Sequence, residues 1–281
     1  MVQNPTIIIF AILLTILSNT GMAKATDVFP KELTITHSAS YPPFAFINEQ
    51  GVPSGYLIDL WKAFGEANNT SITFKLVPWK KSLELVKDGK ADLHAGLFYT
   101  KERDEYLTYG PTITQIFTDL YAHKSLPDEE IGNKPIGVIH GGYSEHFMNK
   151  EQPDRELIPY ATSRATVEAA QKGKILEFIS DQPTAVYHMR MLNILDQFRV
   201  VKELYSNDLK VAVREGNQKM LQHIQAGWLN VDPALRRHIQ NKWFVEEEPT
   251  PSWVLPGFAI TTLALVLGLL IRAIGRRTHK M

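Results

Sequence analysis

The chain contains no cysteine, and over its 281 residues neither sign of charge is in excess. The lack of cysteine excludes disulfide scaffolds, thiol catalysis and cysteine-ligated zinc or iron–sulfur centres. The 30 basic residues match the 30 acidic ones, but no acidic residue precedes Asp27 or follows Glu248. The part between these two residues has 25 basic against 30 acidic residues, a net charge of −5. A nucleic-acid-binding protein needs a basic surface, so we exclude that class.

The motifs of common enzymes and metal sites are missing as well. There is no G-x-S-x-G elbow, no P-loop and no G-x-G-x-x-G dinucleotide motif. His140, Glu145 and His146 are close in sequence but do not have the H-E-x-x-H spacing of a zinc site. We therefore expect no catalytic constellation, no metal and no cofactor.

The amino-terminal segment has the pattern of a secretory signal. Residues Ile7–Leu17 form an apolar run, and Ala23 and Ala25 fit an A-x-A cleavage site. Residues Met1–Thr6, however, include no Lys or Arg. We predict a cleaved signal peptide over residues 1–25, with an uncleaved membrane anchor as the alternative.

The carboxyl-terminal segment predicts a membrane span. Residues Val254–Ile271 carry no charge, and at 1.5 Å per residue they would form a helix of about 27 Å. Four basic residues follow them, which places the chain end in the cytosol. We predict a transmembrane helix over residues 253–272 and a short cytoplasmic tail over residues 273–281, the alternative being a buried core helix. The domain at residues 26–248 is then periplasmic and tethered to the cytoplasmic membrane.

Between these ends, short β runs alternate with amphipathic helical stretches, which indicates an α/β fold. The predicted strands are Leu33–Thr36, Ile72–Leu76, Ala91–Phe98, Ile136–Ile139, Ile175–Ser180 and Leu209–Val213. The predicted helices lie at Leu57–Phe64, Ser82–Asp88, Ala165–Lys172, after Gly142, through Val186 and Met189, through Met220 to Trp228, and around Leu235 and Ile239. Two successive α/β series suggest two lobes with a crevice between them, where ligands bind in such folds.

A cationic group is expected at the start of one helix. Thr100 follows a predicted strand and is a good N-cap, which puts Arg103 at the third helical position. Free backbone N–H groups and a guanidinium together suit a carboxylate ligand. The alternative is that Arg103 pairs with Glu66, Glu105 or another surface acid.

Three further segments are candidates for the crevice. The segment Tyr41–Phe46 presents Tyr41, Phe44 and Phe46 from a proline-stiffened loop, as a platform or as core. Gly141 and Gly142 form either an anion-binding turn or a plain connection. Asp181 either caps the following helix or directs its carboxylate into the crevice.

These segments, in this order, resemble the extracellular solute-binding proteins of the amino-acid type, family 3. The resemblance covers nearly the whole exported domain. The residues that carry it are Tyr41–Phe44, Gly51, Gly55, Ile58–Leu60, Trp79, Gly89–Asp92, Thr100–Arg103, Ile136–Val138, Gly141, Gly173–Asp181, Asp208–Asn217, Trp243 and Phe244.

The resemblance implies a type II, two-lobed periplasmic-binding-protein fold that closes around a small solute by hinge motion. By this resemblance, lobe 1 covers about residues 31–121 and 205–245, and lobe 2 about residues 122–204. Arg103 would then bind a ligand carboxylate, Asp181 the ligand ammonium, and Tyr41 the ligand side chain. The other ligand-binding residues that we expect are Phe44, Phe98, Thr100, Gly142 and Tyr143.

The sequence also departs from the pattern of the family. Phe98 stands where a hydroxyl residue is frequent, Gly142 and Tyr143 replace two threonines, and Ser38 replaces an aspartate common in binders of basic amino acids. These changes predict a more aromatic pocket whose ligand differs from that of such binders.

Similar tethered domains are the sensory parts of diguanylate cyclases and sensor kinases. We therefore expect a membrane-anchored receptor that reports an amino-acid-like solute to such a signalling partner. The alternatives are a receptor for an ABC permease and, since a few relatives are dehydratases, an enzyme on the same scaffold.

Overall fold

The structure is a computed structural model that describes residues 29–244. The predicted signal peptide, transmembrane helix and cytoplasmic tail all lie outside the described residues. Within residues 29–244, no helix has both the length and the apolar character needed to cross a membrane.

Strands and helices alternate along the described residues. The strands are β1 (Glu32–Ser38), β2 (Ser40–Tyr41), β3 (Ala45–Ile47), β4 (Pro53–Ser54), β5 (Ser71–Val77), β6 (Leu93–Leu97), β7 (Leu107–His123), β8 (Ile136–Ile139), β9 (Leu157–Tyr160), β10 (Glu177–Asp181) and β11 (Phe198–Arg214). The α-helices are α1 (Tyr56–Asn68), α2 (Trp79–Lys87), α3 (Lys101–Asp104), α4 (Tyr143–Glu151), α5 (Ser163–Gln171), α6 (Gln182–Met191), α7 (Gln218–Trp228) and α8 (Pro233–Phe244). Short 3-10 turns occur at Asp128–Glu130 and Leu195–Gln197.

Eight strands form one mixed sheet in the order β5-β1-β6-β11-β7-β10-β8-β9. We call the part built on β1, β5 and β6 the first lobe, and the part built on β8, β9 and β10 the second lobe. The pairs β1–β5 and β8–β9 are parallel, as expected for strands connected through helices. The predicted α/β class with two lobes is therefore confirmed.

The long antiparallel strands β7 and β11 connect the two lobes. Each has 17 residues, and they pair along nearly their whole length. One part of β11 pairs with β6 in the first lobe, and the far part of β7 pairs with β10 in the second. The β7–β11 register shifts at four places, and such irregularities bend and twist a strand locally. These two strands have the geometry of a hinge.

Most predicted elements are present, with ends that differ by a few residues. The late strand predicted at Leu209–Val213 is the end of the much longer β11, whereas β7 and β9 were not predicted. Bulges shift the alternation of apolar residues in β7 and β11, so the period-two pattern is lost there. Pro159 lies within β9, where proline is tolerated because β9 is the edge of the sheet.

Helix α1 anchors the first lobe to the sheet. Its side chains Leu57, Leu60, Trp61 and Phe64 recur with helical spacing, and each is at most 3% exposed. Burial of each such side chain contributes roughly 1.5–3 kcal/mol. Trp61 Nε1 also donates to the carbonyl of Ala95 at 3.1 Å. This packing fixes β6, which leads directly to the segment that carries Arg103.

The second lobe has a core of its own on one face of α5 and α6. Tyr121 of β7 stacks on Phe178 of β10 with ring centroids 5.0 Å apart, and Phe198 of β11 meets Phe178 edge-on. Val167 of α5 and Ala185 of α6 are fully buried in the same cluster. This core holds the carboxyl end of β10, where Asp181 lies, against the hinge strands.

Gly55 precedes α1, and a substitution there tests how closely its backbone approaches the loop that carries Tyr41. Its φ is +128°, and an added Cβ would lie 2.3 Å from the carbonyl oxygen of Phe44. We expect Gly55→Ala to lower the free energy of unfolding by about 2–5 kcal/mol, since backbone strain and overpacking add. Gly51→Ala is the matched control, because its φ is +76° and no atom lies within 4 Å of the added Cβ. That control should cost only about 1–2 kcal/mol. Equal losses in urea unfolding would contradict the close approach.

Candidate functional site

A cavity of about 110 Å³ lies between the lobes. Both lobes and both hinge strands contribute walls. Of the residues predicted from the sequence, Tyr41, Phe98, Arg103, Gly142, Tyr143 and Asp181 line it. The remaining lining residues are His37, Ser38, Ser40, Trp79, Gly96, Leu97, Thr118, Ile139, Ser144, Ala161, Thr162, Ser163, Ile179, Ser180, Thr184, Tyr205 and Leu209.

Arg103 supplies the positive charge of the cavity. The Thr100 side chain accepts the backbone N–H of Arg103 at 3.2 Å, as predicted for an N-cap. Arg103 is 6% exposed, and its guanidinium donates to the carbonyls of Phe98 at 2.8 Å and Gly141 at 3.4 Å. Its carbon also lies 5.2 Å from the centre of the Trp79 ring, a cation–π contact. Burial lowers the pKa of Arg103, but a guanidinium remains charged at any physiological pH.

The surface pairing considered for Arg103 is not what the structure has. Among the ion pairs of residues 29–244, none includes Arg103, Glu66 or Glu105. Helix α3 has only four residues, however, so it lacks the aligned peptide dipoles of a longer helix. The guanidinium itself, rather than the helix terminus, is the group suited to an anion.

Asp181 supplies the negative charge on the opposite side. It occupies the N-cap position of α6, but its side chain makes no capping hydrogen bond. The carboxylate instead accepts from the hydroxyls of Tyr41 and Thr118, each at 2.5 Å. Burial raises the pKa of Asp181, and these two hydrogen bonds oppose that rise. Of the two alternatives, the carboxylate directed into the crevice is the one found.

Sheet register places three polar side chains in one row. Asp181 of β10 pairs with Thr118 of β7, and Thr118 pairs on its other side with Tyr205 of β11. Sequence analysis missed Thr118 and Tyr205 because both lie in the hinge strands, whose pattern predicted no such pairing. Predicting this row would have required the order of neighbouring strands in the sheet, and no local sequence motif contains that order.

The aromatic platform is arranged differently from the prediction. Tyr41 stacks between His37 at 5.5 Å and Phe44 at 4.8 Å. Phe44 is fully buried behind Tyr41 and does not line the cavity, so it positions Tyr41 rather than facing the crevice. Thr100 is likewise behind the wall, where it caps α3. Phe46 contacts Tyr187 of the second lobe at 5.9 Å, outside the cavity.

The glycine turn of the second lobe is a connection rather than an anion cradle. The N–H of Gly141 donates to Glu145 at 2.5 Å, and the N–H of Gly142 donates to the carbonyl of Ile139 at 2.9 Å. Both amides are therefore used within the turn. The turn nonetheless lines the cavity through Gly142 and the adjacent Tyr143. Tyr143 closes one wall, since its ring meets Phe98 at 5.6 Å and Tyr205 at 5.0 Å.

The carbonyl of Gly141 joins the lobes at the cavity edge. Trp79 Nε1 donates to it at 3.0 Å, in addition to the Arg103 bond. Lys80 Nζ lies 2.7 Å from His140 Nε2 on the rim, and His146 lies 3.6 Å from Glu102. Together with the bond from Tyr41 to Asp181, these contacts bring the two lobes together around the cavity.

Two buried histidines of the first lobe lie at the cavity, where His37 is part of the wall and His94 lies behind it. His37 and His94 are at most 1% exposed, and their rings are 4.7 Å apart. His37 Nδ1 accepts the N–H of Ser38 at 2.7 Å, and His94 Nε2 lies 3.1 Å from the hydroxyl of Ser82. Burial lowers the pKa of His37 to about 4 and that of His94 well below its ordinary value. Both rings are therefore neutral at pH 7.

These histidines predict a loss of stability in acid. A histidine whose folded pKa is lowered destabilises the fold as pH falls from its unfolded pKa, about 6.5, to its folded pKa, about 4 for His37. Within this window each such histidine should lower the free energy of unfolding by about 1.4 kcal/mol per pH unit. We expect His37→Gln to reduce the pH dependence of the free energy of unfolding by about 1.4 kcal/mol per pH unit in urea titrations. An unaltered pH dependence of the free energy of unfolding in His37→Gln would refute the assignment of His37 as a buried, neutral ring.

The family model that matches this chain is that of the bacterial extracellular solute-binding proteins, family 3, over residues 33–246. A curated relative, the arginine-binding periplasmic protein of Mannheimia haemolytica, is 24% identical over 226 residues, which are 79% of this chain and 92% of the relative.

Solved structures have the same fold. A histidine kinase sensor domain with similarity to periplasmic binding proteins superposes with a TM-score of 0.71 at 19% identity, covering 78% of this chain and 99% of that domain. An ancestral arginine-binding protein bound to arginine gives a TM-score of 0.70 at 23% identity, covering 77% of this chain and 99% of that protein. The family predicted from the sequence is thus confirmed, and the chain belongs to the bacterial extracellular solute-binding proteins, family 3.

Proposed function

We propose that this chain is a membrane-anchored periplasmic receptor whose lobes close around a small amino-acid-like zwitterion. One observation carries the proposal: a buried arginine from the first lobe and a half-buried aspartate from the second line the same cavity. Arg103 would bind the ligand carboxylate, and Asp181 the ligand ammonium. Tyr41 and Trp79 would cover the ligand from the first lobe. The curated relative, named as an arginine-binding protein, supports an amino acid as the ligand class.

The energetics favour a ligand that carries both charges. A buried charge with only neutral partners keeps part of its desolvation penalty, and an opposite charge at hydrogen-bond distance offsets it. A zwitterion would supply an anion to Arg103 and a cation to Asp181 in one binding event. Because the two groups belong to different lobes, the same ligand would stabilise the closed arrangement. The equilibrium would shift by the difference between its affinities for the closed and open forms.

We propose binding rather than catalysis. General acid–base chemistry needs a titrating group placed against a reacting atom. The carboxylate of Asp181 is engaged by two hydroxyls, and His37 is bonded to backbone groups on both ring nitrogens. These bonds suit groups that hold a ligand in place.

Charge removal tests the two anchors. In the purified full-length chain, we expect Arg103→Ala and Asp181→Asn each to weaken amino-acid binding by about 3–5 kcal/mol, roughly a hundredfold or more in Kd. Calorimetric titration gives the Kd values, and thermal unfolding verifies that each variant is folded. Arg164→Ala is the control, because that exposed arginine pairs with Glu168 outside the cavity. Unchanged binding in both cavity variants would remove the site assignment.

The membrane anchor and the partner rest on the sequence at residues 253–272. We propose that the closed domain reports its bound state to a signalling partner in the membrane, such as a diguanylate cyclase or a kinase. The alternative is delivery of the solute to an ABC permease. Uptake of the labelled ligand separates the two, because loss of a transport receptor abolishes uptake. A deletion strain that takes up the ligand at the normal rate is expected, and abolished uptake would favour the permease.

A further inference from the structure

The cavity walls hold a small and balanced set of charges. Among the residues 29–244 that line it, Arg103 is the one cation and Asp181 the one carboxylate. His37, which also lines it, is neutral. The other walls are aromatic, aliphatic, glycine or hydroxyl residues. The cavity thus offers one charge of each sign.

Other charged groups near the cavity lie outside its walls. Asp119 follows Thr118 in β7, so its side chain leaves on the other face of the strand, beside Gln182 and Tyr121. Its Oδ1 has no hydrogen-bond partner among the described residues. Lys80 on the rim lies against His140, and Glu145 accepts the N–H of Gly141. None of these three charges lines the cavity.

This inference rests on the proposed function, which assigns both wall charges to the ligand backbone. A charged ligand side chain would then be a third charge in the cavity, without a counter-ion on the described walls. An unpaired charge moved from water into such surroundings is strongly disfavoured. An uncharged side chain meets no such penalty against Phe98, Tyr143 and Tyr205. The hydroxyl of Thr184, which is buried and has no hydrogen-bond partner among the described residues, can bond a neutral polar group.

We infer that the cleft selects an amino acid with an uncharged side chain and discriminates against arginine, lysine, aspartate and glutamate. The preference opposes the ligand in the name of the arginine-binding relative. The preference follows from the charges that line this cavity. The name of the relative does not say which residues line its own cavity.

The direct test is a panel of amino acids titrated calorimetrically into the purified full-length chain. At least one amino acid with an uncharged side chain should bind at least tenfold more tightly than arginine, lysine, aspartate and glutamate. If arginine or another charged amino acid binds most tightly, the inference is overturned while the proposed function stands. If no amino acid binds, the proposed function fails and the inference fails with it.

A single added carboxylate gives a second, independent test. Ser38 lines the cavity, is 8% exposed, and its hydroxyl accepts the N–H of Ser40 at 3.2 Å. Aspartate can accept the same N–H, so Ser38→Asp adds charge and keeps the turn. We expect it to raise the affinity for arginine relative to the preferred neutral ligand at least tenfold. Ser38→Asn, equal in shape and uncharged, should leave the ratio unchanged. If the affinity for arginine relative to the neutral ligand is the same in Ser38→Asp as in Ser38→Asn, the inference is overturned.

Discussion

Two charges, one buried and one half-buried, that bond only to neutral groups are the constraint on which the rest of this structure depends. The guanidinium of Arg103 donates to backbone carbonyls, and the carboxylate of Asp181 accepts from hydroxyls. Neutral partners satisfy the hydrogen-bonding capacity of a charge without cancelling it. A fold tolerates this only where surrounding elements hold each group firmly. Here α3 and β6 hold one, and β10 with the hinge strands holds the other.

The hinge strands have two roles that are linked by sheet register. They join the lobes, and at the row of Asp181, Thr118 and Tyr205 they also form part of the cavity wall. Bulges along the β7–β11 pair bend the strands close to that row. A change in the angle between the lobes would therefore displace Thr118 and Tyr205, which lie next to the carboxylate of Asp181. The geometry of the site and the angle of the lobes are set by the same pair of strands.

Sequence patterns were informative wherever structure is local. The N-cap at Thr100 and the amphipathic face of α1 each follow from a few neighbouring residues, and each is present. The family and six of the residues that line the cavity followed from motifs at such local features. Bulged strands carry no clean alternation, so β7 and the greater part of β11 were missed.

It was harder to predict whether a residue faces the cavity or lies in the core behind the cavity wall. Phe44 and Tyr41 occur in the same short loop, yet one is core and the other lines the cavity, because stacking places Phe44 behind Tyr41. The roles of Thr118 and Tyr205 depend on which strands become neighbours across the sheet. That neighbourhood joins residues far apart in the chain, and spacing along the sequence does not encode it.

The shared acceptor at Gly141 has a thermodynamic consequence for ligand binding by this domain. Its carbonyl takes hydrogen bonds from both Trp79 and Arg103, and so the guanidinium contributes to the contact between the lobes as well as to the cavity. Intrinsic affinity and the population of the binding-competent form are then coupled at one side chain. The dissociation constant of a variant substituted at Arg103 therefore reflects both the intrinsic affinity for the ligand and the fraction of molecules in the binding-competent form. The same coupling applies at Asp181, because its hydrogen bond from Tyr41 also crosses from one lobe to the other.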